Sequence, residues 1–143
     1  MAGLSLPRWL FPVLIISLIG VVVGLNHYLH REQSAVEVPC ADLSAGCRAD
    51  IGGHEIVFGV HGPIRVLKPF ELWLKAPGAR QIQASFAMKG MDMGFNLYTL
   101  RPGPDGVFRV RVTLPVCVSG RHDWFVVLDV DGKKFSAPFV TQP

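Results

Sequence analysis

The chain has 143 residues, which is enough for one domain of ordinary size. Half of the residues are hydrophobic and only 17% are charged, and a mean hydropathy of +0.35 excludes an intrinsically disordered chain, which needs low hydrophobicity and high net charge. The 14 basic and 11 acidic residues give a formal net charge of +3 without a long Lys/Arg run, which excludes nucleic-acid binding through a basic surface.

An uncharged apolar segment lies near the start of the chain. It covers residues 9–25, and it reaches 21 residues when residues 26–29 are included. A helix that crosses a bilayer needs about 20 mainly apolar residues. A cleaved signal peptide is the alternative, but its apolar core is usually about 7–15 residues long and ends at a small-x-small site, which residues 33–35 do not provide. We therefore predict that residues 1–31 form a short tail and an uncleaved single-span anchor in a bacterial inner membrane, with the rest of the chain in the periplasm.

The remaining residues show the pattern of a β-protein. Residues 32–53 are polar and rich in turn residues, and we interpret them as a linker and a cysteine-containing strap. From residue 54 onwards, apolar and polar residues alternate with period two, as in strands with one buried face. Turns rich in proline and glycine separate these runs, and Asp131-Gly132 predicts a tight hairpin. About seven strands in roughly 90 residues predict an immunoglobulin-like β-sandwich over residues 54–143.

Three of the four methionines lie close together, where one predicted strand ends. They are Met88, Met91 and Met93, and Gly90 and Gly94 beside them allow sharp bends. Thioether sulfur is a soft ligand that suits Cu(I). The cluster therefore predicts a Cu(I) site, for which the further candidate ligands are Cys117, His122, His61 and His54.

Core packing is the alternative role for the methionines. Methionine fills irregular gaps in a core, and Met88 continues an inward-facing strand pattern. Each histidine taken alone is typical of a solvated turn. Only the proximity of these side chains in space would distinguish a metal site from packing.

The three cysteines leave three single disulfides open. Six residues separate Cys40 from Cys47, so a short loop could close between them, and Cys117 could instead pair with either. A structural disulfide is favoured in a small exported domain, while copper ligation and a redox relay are the alternatives. The spacing is not that of a zinc site.

The sequence contains none of the common catalytic motifs. It has no nucleophile-elbow serine, no His-Glu-x-x-His motif and no phosphate-binding loop. Asp105, Asp129 and Asp131 lie in or near predicted turns, where such residues usually serve the geometry of the turn, and Asp42 and Asp50 belong to the polar strap. We therefore predict that the protein is not an enzyme.

Part of the chain resembles a known family. Residues 84–94 (Ala-Ser-Phe-Ala-Met-Lys-Gly-Met-Asp-Met-Gly), together with residues 120–124 and 126–132, resemble the YtkA-like and FixH-like group of small exported β-sandwich domains. The resemblance covers residues 53–139. It implies a membrane-anchored accessory protein that handles copper or helps to assemble copper-containing respiratory oxidases. Of the family's ligands, only Met88, Met91 and Met93 carry over as candidates.

These observations lead to two expectations. The first is a membrane-tethered periplasmic protein that binds or delivers Cu(I) through Met88, Met91 and Met93, with Cys117 or His122 as a further ligand. Its partner would be a copper-containing respiratory oxidase or a copper chaperone. The second is a non-metal interaction module that holds a membrane-protein partner through the methionine-rich loop, because methionine is common at adaptable surfaces.

Overall fold

The structure, a computed structural model, describes residues 9–29, 35–91 and 96–143. The chain divides into two compact units between residues 33 and 34, and each unit is described by itself. The first unit contains a helix, and the second contains every strand that the structure describes.

Helix α1 spans Leu10–Leu29 and occupies the apolar segment predicted from the sequence. Its large apolar side chains are exposed on all sides between Phe11 and Leu25. Within the part of the chain that the structure describes, no helix combines the length and hydropathy that a bilayer crossing requires.

The second unit is mostly β and confirms the predicted class. Its nine described strands form one curled sheet in the order β1-β9-β8-β5-β6-β7-β4-β3-β2, in which only β1 and β9 pair in parallel. The sequence predicted about seven strands. The two further strands, β1 and β2, lie in the polar segment that we interpreted as a strap. The bounds are β1 (Val36–Glu37), β2 (Cys47–Ile51), β3 (His54–His61), β4 (Pro69–Lys75), β5 (Ile82–Ala87), β6 (Leu97–Pro102), β7 (Phe108–Thr113), β8 (Asp123–Val130) and β9 (Lys133–Val140).

Strand β6 belongs to both halves of the curled sheet. Its first four residues pair with β5, whereas its last two pair with β7. Aromatic side chains from the two halves meet in the core. The ring centroids of Phe58 in β3 and Phe135 in β9 are 5.4 Å apart, and those of Phe70 in β4 and Phe86 in β5 are 6.1 Å apart.

The period-two pattern identifies the buried face of the central strands. In β5, Ile82, Ala84 and Phe86 are almost completely buried and alternate with half-buried neighbours. The predicted hairpin joins β8 to β9: Asp131 and Gly132 take φ values of +49° and +88°, as both central residues of a type I′ turn do.

The β1–β2 connection, residues 38–46, joins the two ends of the sheet. Strands β1 and β2 are consecutive in the chain but lie at opposite ends of the strand order. The disulfide Cys40–Cys47, with Cα atoms 5.6 Å apart, closes this connection and leaves Cys117 as the free cysteine. The predicted structural disulfide is therefore present. Leu43 of the connection is buried, and its carbonyl oxygen accepts the N–H of Val60 in β3.

Gly59 allows this connection to lie directly on β3. A Cβ at this position would meet the carbonyl oxygen of Leu43 at 2.7 Å and Cζ2 of Trp73 at 2.8 Å. Both distances are shorter than van der Waals contact. A larger residue would push the connection or Trp73 away from the sheet.

Removal of the disulfide should destabilise the domain. The Cys40→Ser, Cys47→Ser double variant should lose about 2–3 kcal/mol in the free energy of unfolding, because the disulfide restricts the unfolded chain over a short loop. Urea unfolding of the oxidised protein and of the variant measures the difference. A thiol reductant should destabilise the wild type by a similar amount and leave the variant unchanged. Equal stability of the oxidised wild type and the variant would contradict the prediction.

Candidate metal centre

The loops that carry the candidate sulfur ligands leave the sheet at the same end. Ala87, the last residue of β5, pairs with Phe125 near the start of β8. The loop after β5 carries the methionines, and the loop before β8 carries Cys117 and His122. The pairing of β5 with β8 therefore makes the two loops neighbours.

Met88 and Met91 stand at the two ends of a tight turn that follows β5. The N–H of Met91 donates to the carbonyl oxygen of Met88 at 3.1 Å. Gly90 takes a φ of +75°, which glycine adopts without the steric cost of a Cβ. The side chain of Met88 is 1% exposed and lies in the core, whereas Met91 is half-buried and packs against the edge of the core. The turn therefore holds the two thioethers in different environments.

The Cys117 thiol lies beside Met91. Its Sγ is 3.7 Å from Sδ of Met91 and 2.9 Å from Oγ of Ser119. Hydrogen bonds from the hydroxyl and the backbone N–H of Ser119 lower the pKa of this thiol. Burial raises that pKa, and the positive charge of Arg121 lowers it further. Two soft donors thus meet at a partly buried position, and one of them has increased thiolate character.

Among the described residues, the side-chain contact recorded between predicted ligands is the one between Cys117 and Met91. Met93 lies outside the described residues. His122 is exposed, and its Nδ1 is 3.0 Å from Oγ1 of Thr141. His61 and His54 lie at the two ends of β3. Of the predicted ligands, Cys117 and Met91 are the two that the structure brings into contact.

The ligand atoms that the site offers to a metal ion are the sulfur atoms of Cys117 and Met91. Among the described residues, no three side chains of His, Cys, Asp or Glu are placed to hold a metal ion together. A thiolate and a thioether are soft donors that favour Cu(I) over harder divalent ions. The arrangement of Cys117 and Met91 is therefore suited to a soft monovalent metal.

Two further residues of the site were not predicted from the sequence. Ser119 contacts the thiol, and Arg121 donates from Nε to Oδ1 of Asp123 at 2.8 Å and from Nη1 to the carbonyl oxygen of Lys89 at 3.1 Å. The ion pair raises the pKa of Arg121 and lowers that of Asp123. Ser119 and Arg121 lie close to Cys117 in the sequence, which was the available signal that they belong to the site. Closeness within a loop, however, does not show where a side chain points.

Removal of the Ser119 hydroxyl should raise the pKa of the Cys117 thiol. In Ser119→Ala, the midpoint of the alkylation rate against pH should move to higher pH, because the hydroxyl no longer donates to the thiolate. Cys117 is the free cysteine and is buried, so iodoacetamide, a small neutral reagent, is used to alkylate it alone. Ser44→Ala, in the β1–β2 connection, is the control and should keep the wild-type midpoint. An unchanged midpoint in Ser119→Ala would contradict the assigned hydrogen bond.

Comparisons with protein-family models, curated proteins and solved structures give no match to this chain. The resemblance to YtkA-like and FixH-like domains therefore stays a prediction from the sequence, and the contact between Cys117 and Met91 carries the functional argument.

Proposed function

We propose that the domain binds Cu(I) through Cys117 and Met91 and passes it to another copper protein. The observation that carries this proposal is the 3.7 Å separation between Sγ of Cys117 and Sδ of Met91. Thiolate and thioether sulfur select Cu(I) by their softness. Met93, two residues after Met91, is the third sulfur donor of the proposed set.

The environments of Met88 and His122 favour other roles for them. Met88 is 1% exposed among core side chains, which supports packing. The His122 ring is engaged by the Thr141 hydroxyl. The proposed ligand set is therefore smaller than the set predicted from the sequence, and it consists of sulfur atoms.

The proposed setting is an oxidising compartment such as the bacterial periplasm. The Cys40–Cys47 disulfide supports this setting, because structural disulfides persist where thiols are oxidised. A copper-containing respiratory oxidase and a copper chaperone are the proposed partners. Placement at the inner membrane belongs to the same proposal, and fractionation of cells that express the full chain tests it.

We also propose that the curled sheet is an immunoglobulin-like β-sandwich. The contacts between Phe58 and Phe135 and between Phe70 and Phe86, which cross the core from one half of the sheet to the other, support two facing layers.

A non-metal interaction module is the second candidate function. Val116 and Val118 flank Cys117 and are 54% and 101% exposed. Exposed apolar side chains beside a methionine favour contact with a partner protein. Under this alternative, the sulfur pair would contribute packing at the interface rather than metal binding.

An anaerobic Cu(I) titration against a chromophoric chelator tests the copper proposal. The wild type should bind one equivalent of Cu(I). Changes to residues that support metal ligands typically weaken metal binding by roughly 10- to 100-fold, so Cys117→Ser and Met91→Leu should each weaken it by at least that much. Leucine keeps the volume of methionine but removes the sulfur.

Met88→Leu is the matched control from the same turn. It makes the same chemical change at a core position and should retain the wild-type affinity for Cu(I). Failure of the wild type to compete with the chelator would contradict the copper proposal and favour the interaction module. Full affinity in the Cys117→Ser, Met91→Leu double variant would contradict the ligand assignment.

A further inference from the structure

Arg121 connects the two loops that carry the sulfur pair. Its guanidinium extends from the loop of Cys117 to the turn of Met91, where Nη1 donates to the carbonyl oxygen of Lys89 at 3.1 Å. Lys89 lies between Met88 and Met91, and it is 32 positions before Arg121 in the chain. The bond therefore holds the backbone of the methionine turn through a long-range contact.

Asp123 orients the guanidinium toward that turn. Nε of Arg121 donates to Oδ1 of Asp123 at 2.8 Å, and Nη2 donates to Oδ2. Two parallel bonds to one carboxylate fix the plane of a guanidinium group. Asp123 is the first residue of β8, so the arginine is oriented by a residue of the sheet rather than of a loop. The remaining contact, through Nη1, is the one that reaches Lys89.

We infer that Arg121 is a positioning residue that holds the Met91 turn against Cys117 and so pre-organises the two sulfur donors, an inference that rests on the proposed Cu(I) function. The backbone N–H of Arg121 donates to the Cys117 thiol and its charge lowers the pKa of that thiol, but its side chain makes no hydrogen bond to either sulfur among the bonds described. It acts through the backbone of Lys89, and ligand geometry fixed by surrounding contacts is a common determinant of metal affinity.

Arg109 provides a control with a similar set of bonds, and its Nε also lies 3.8 Å from Oε1 of Glu71. It donates to both carboxylate oxygens of Asp105, at 2.9 and 2.6 Å, and to the carbonyl oxygen of Val107 at 3.3 Å. Its side chain is 33% exposed, compared with 38% for Arg121. Asp105 and Val107 belong to the loop between β6 and β7, so Arg109 makes these bonds away from both sulfur-bearing loops.

The first test compares Arg121→Gln and Arg109→Gln in the full chain by anaerobic Cu(I) titration. Arg121→Gln should raise the Kd for Cu(I) about 10- to 100-fold, whereas Arg109→Gln should leave it unchanged. Copper K-edge X-ray absorption should show fewer sulfur neighbours in the Arg121→Gln complex than in the wild type. Wild-type affinity in Arg121→Gln, or an equal loss in Arg109→Gln, would overturn the inference.

A metal-free measurement separates this inference from the copper proposal. The Met91 amide donates within the turn, so its hydrogen exchange reports on how firmly the turn is held. Exchange should accelerate in Arg121→Gln and stay at the wild-type rate in Arg109→Gln. An unchanged rate in Arg121→Gln would overturn the positioning role. A wild type that does not bind Cu(I) would contradict the proposed function, while the exchange rates still decide whether Arg121 holds the turn.

Discussion

Closure of the curled sheet by the β1–β2 connection is the constraint on which the rest of the domain depends. The first and last strands of the sheet are consecutive in the chain, and the Cys40–Cys47 disulfide holds the segment between them. Sheet edges expose unpaired backbone groups, and both edge strands here are short. Because the same segment packs on Gly59, one local connection restrains both edges and covers part of β3.

This closure also determines which thiol is available for chemistry. Cys40 and Cys47 are close in the chain and pair with each other, so Cys117 keeps a free Sγ in a domain that otherwise carries an oxidised pair. The pairing of β5 with β8 then sets that thiol beside Met91. Cys40 and Cys47 therefore stabilise the fold as a disulfide, whereas the free thiol of Cys117 lies beside the Met91 thioether in the proposed site.

The sequence could predict what depends on local burial, and it could not predict what depends on strand pairing. The alternation in β5 and the Asp131-Gly132 turn were readable because each reflects the geometry of a few adjacent residues. The contact between Met91 and Cys117 joins residues 26 apart, and it follows from a register that no local pattern encodes. Strand β1 has two residues, too few to show a period. The disulfide partner was undetermined among three cysteines, because the choice depends on where the chain places the ends of the sheet.

The different positions of Met88 and Met91 follow from where β5 ends. Strand β5 stops at Ala87, and Met88 still continues its inward-facing pattern, so that thioether is buried. One turn later the chain has left the sheet, and the Met91 side chain lies at the edge of the core beside a thiol from another loop. A metal ligand on a strand is held rigidly, but a metal ion reaches it less easily. A metal ligand on a loop is easier for the ion to reach, but it needs a further contact to hold it in place. The bond from Arg121 to the carbonyl oxygen of Lys89 supplies such a contact and orders the turn that carries Met91.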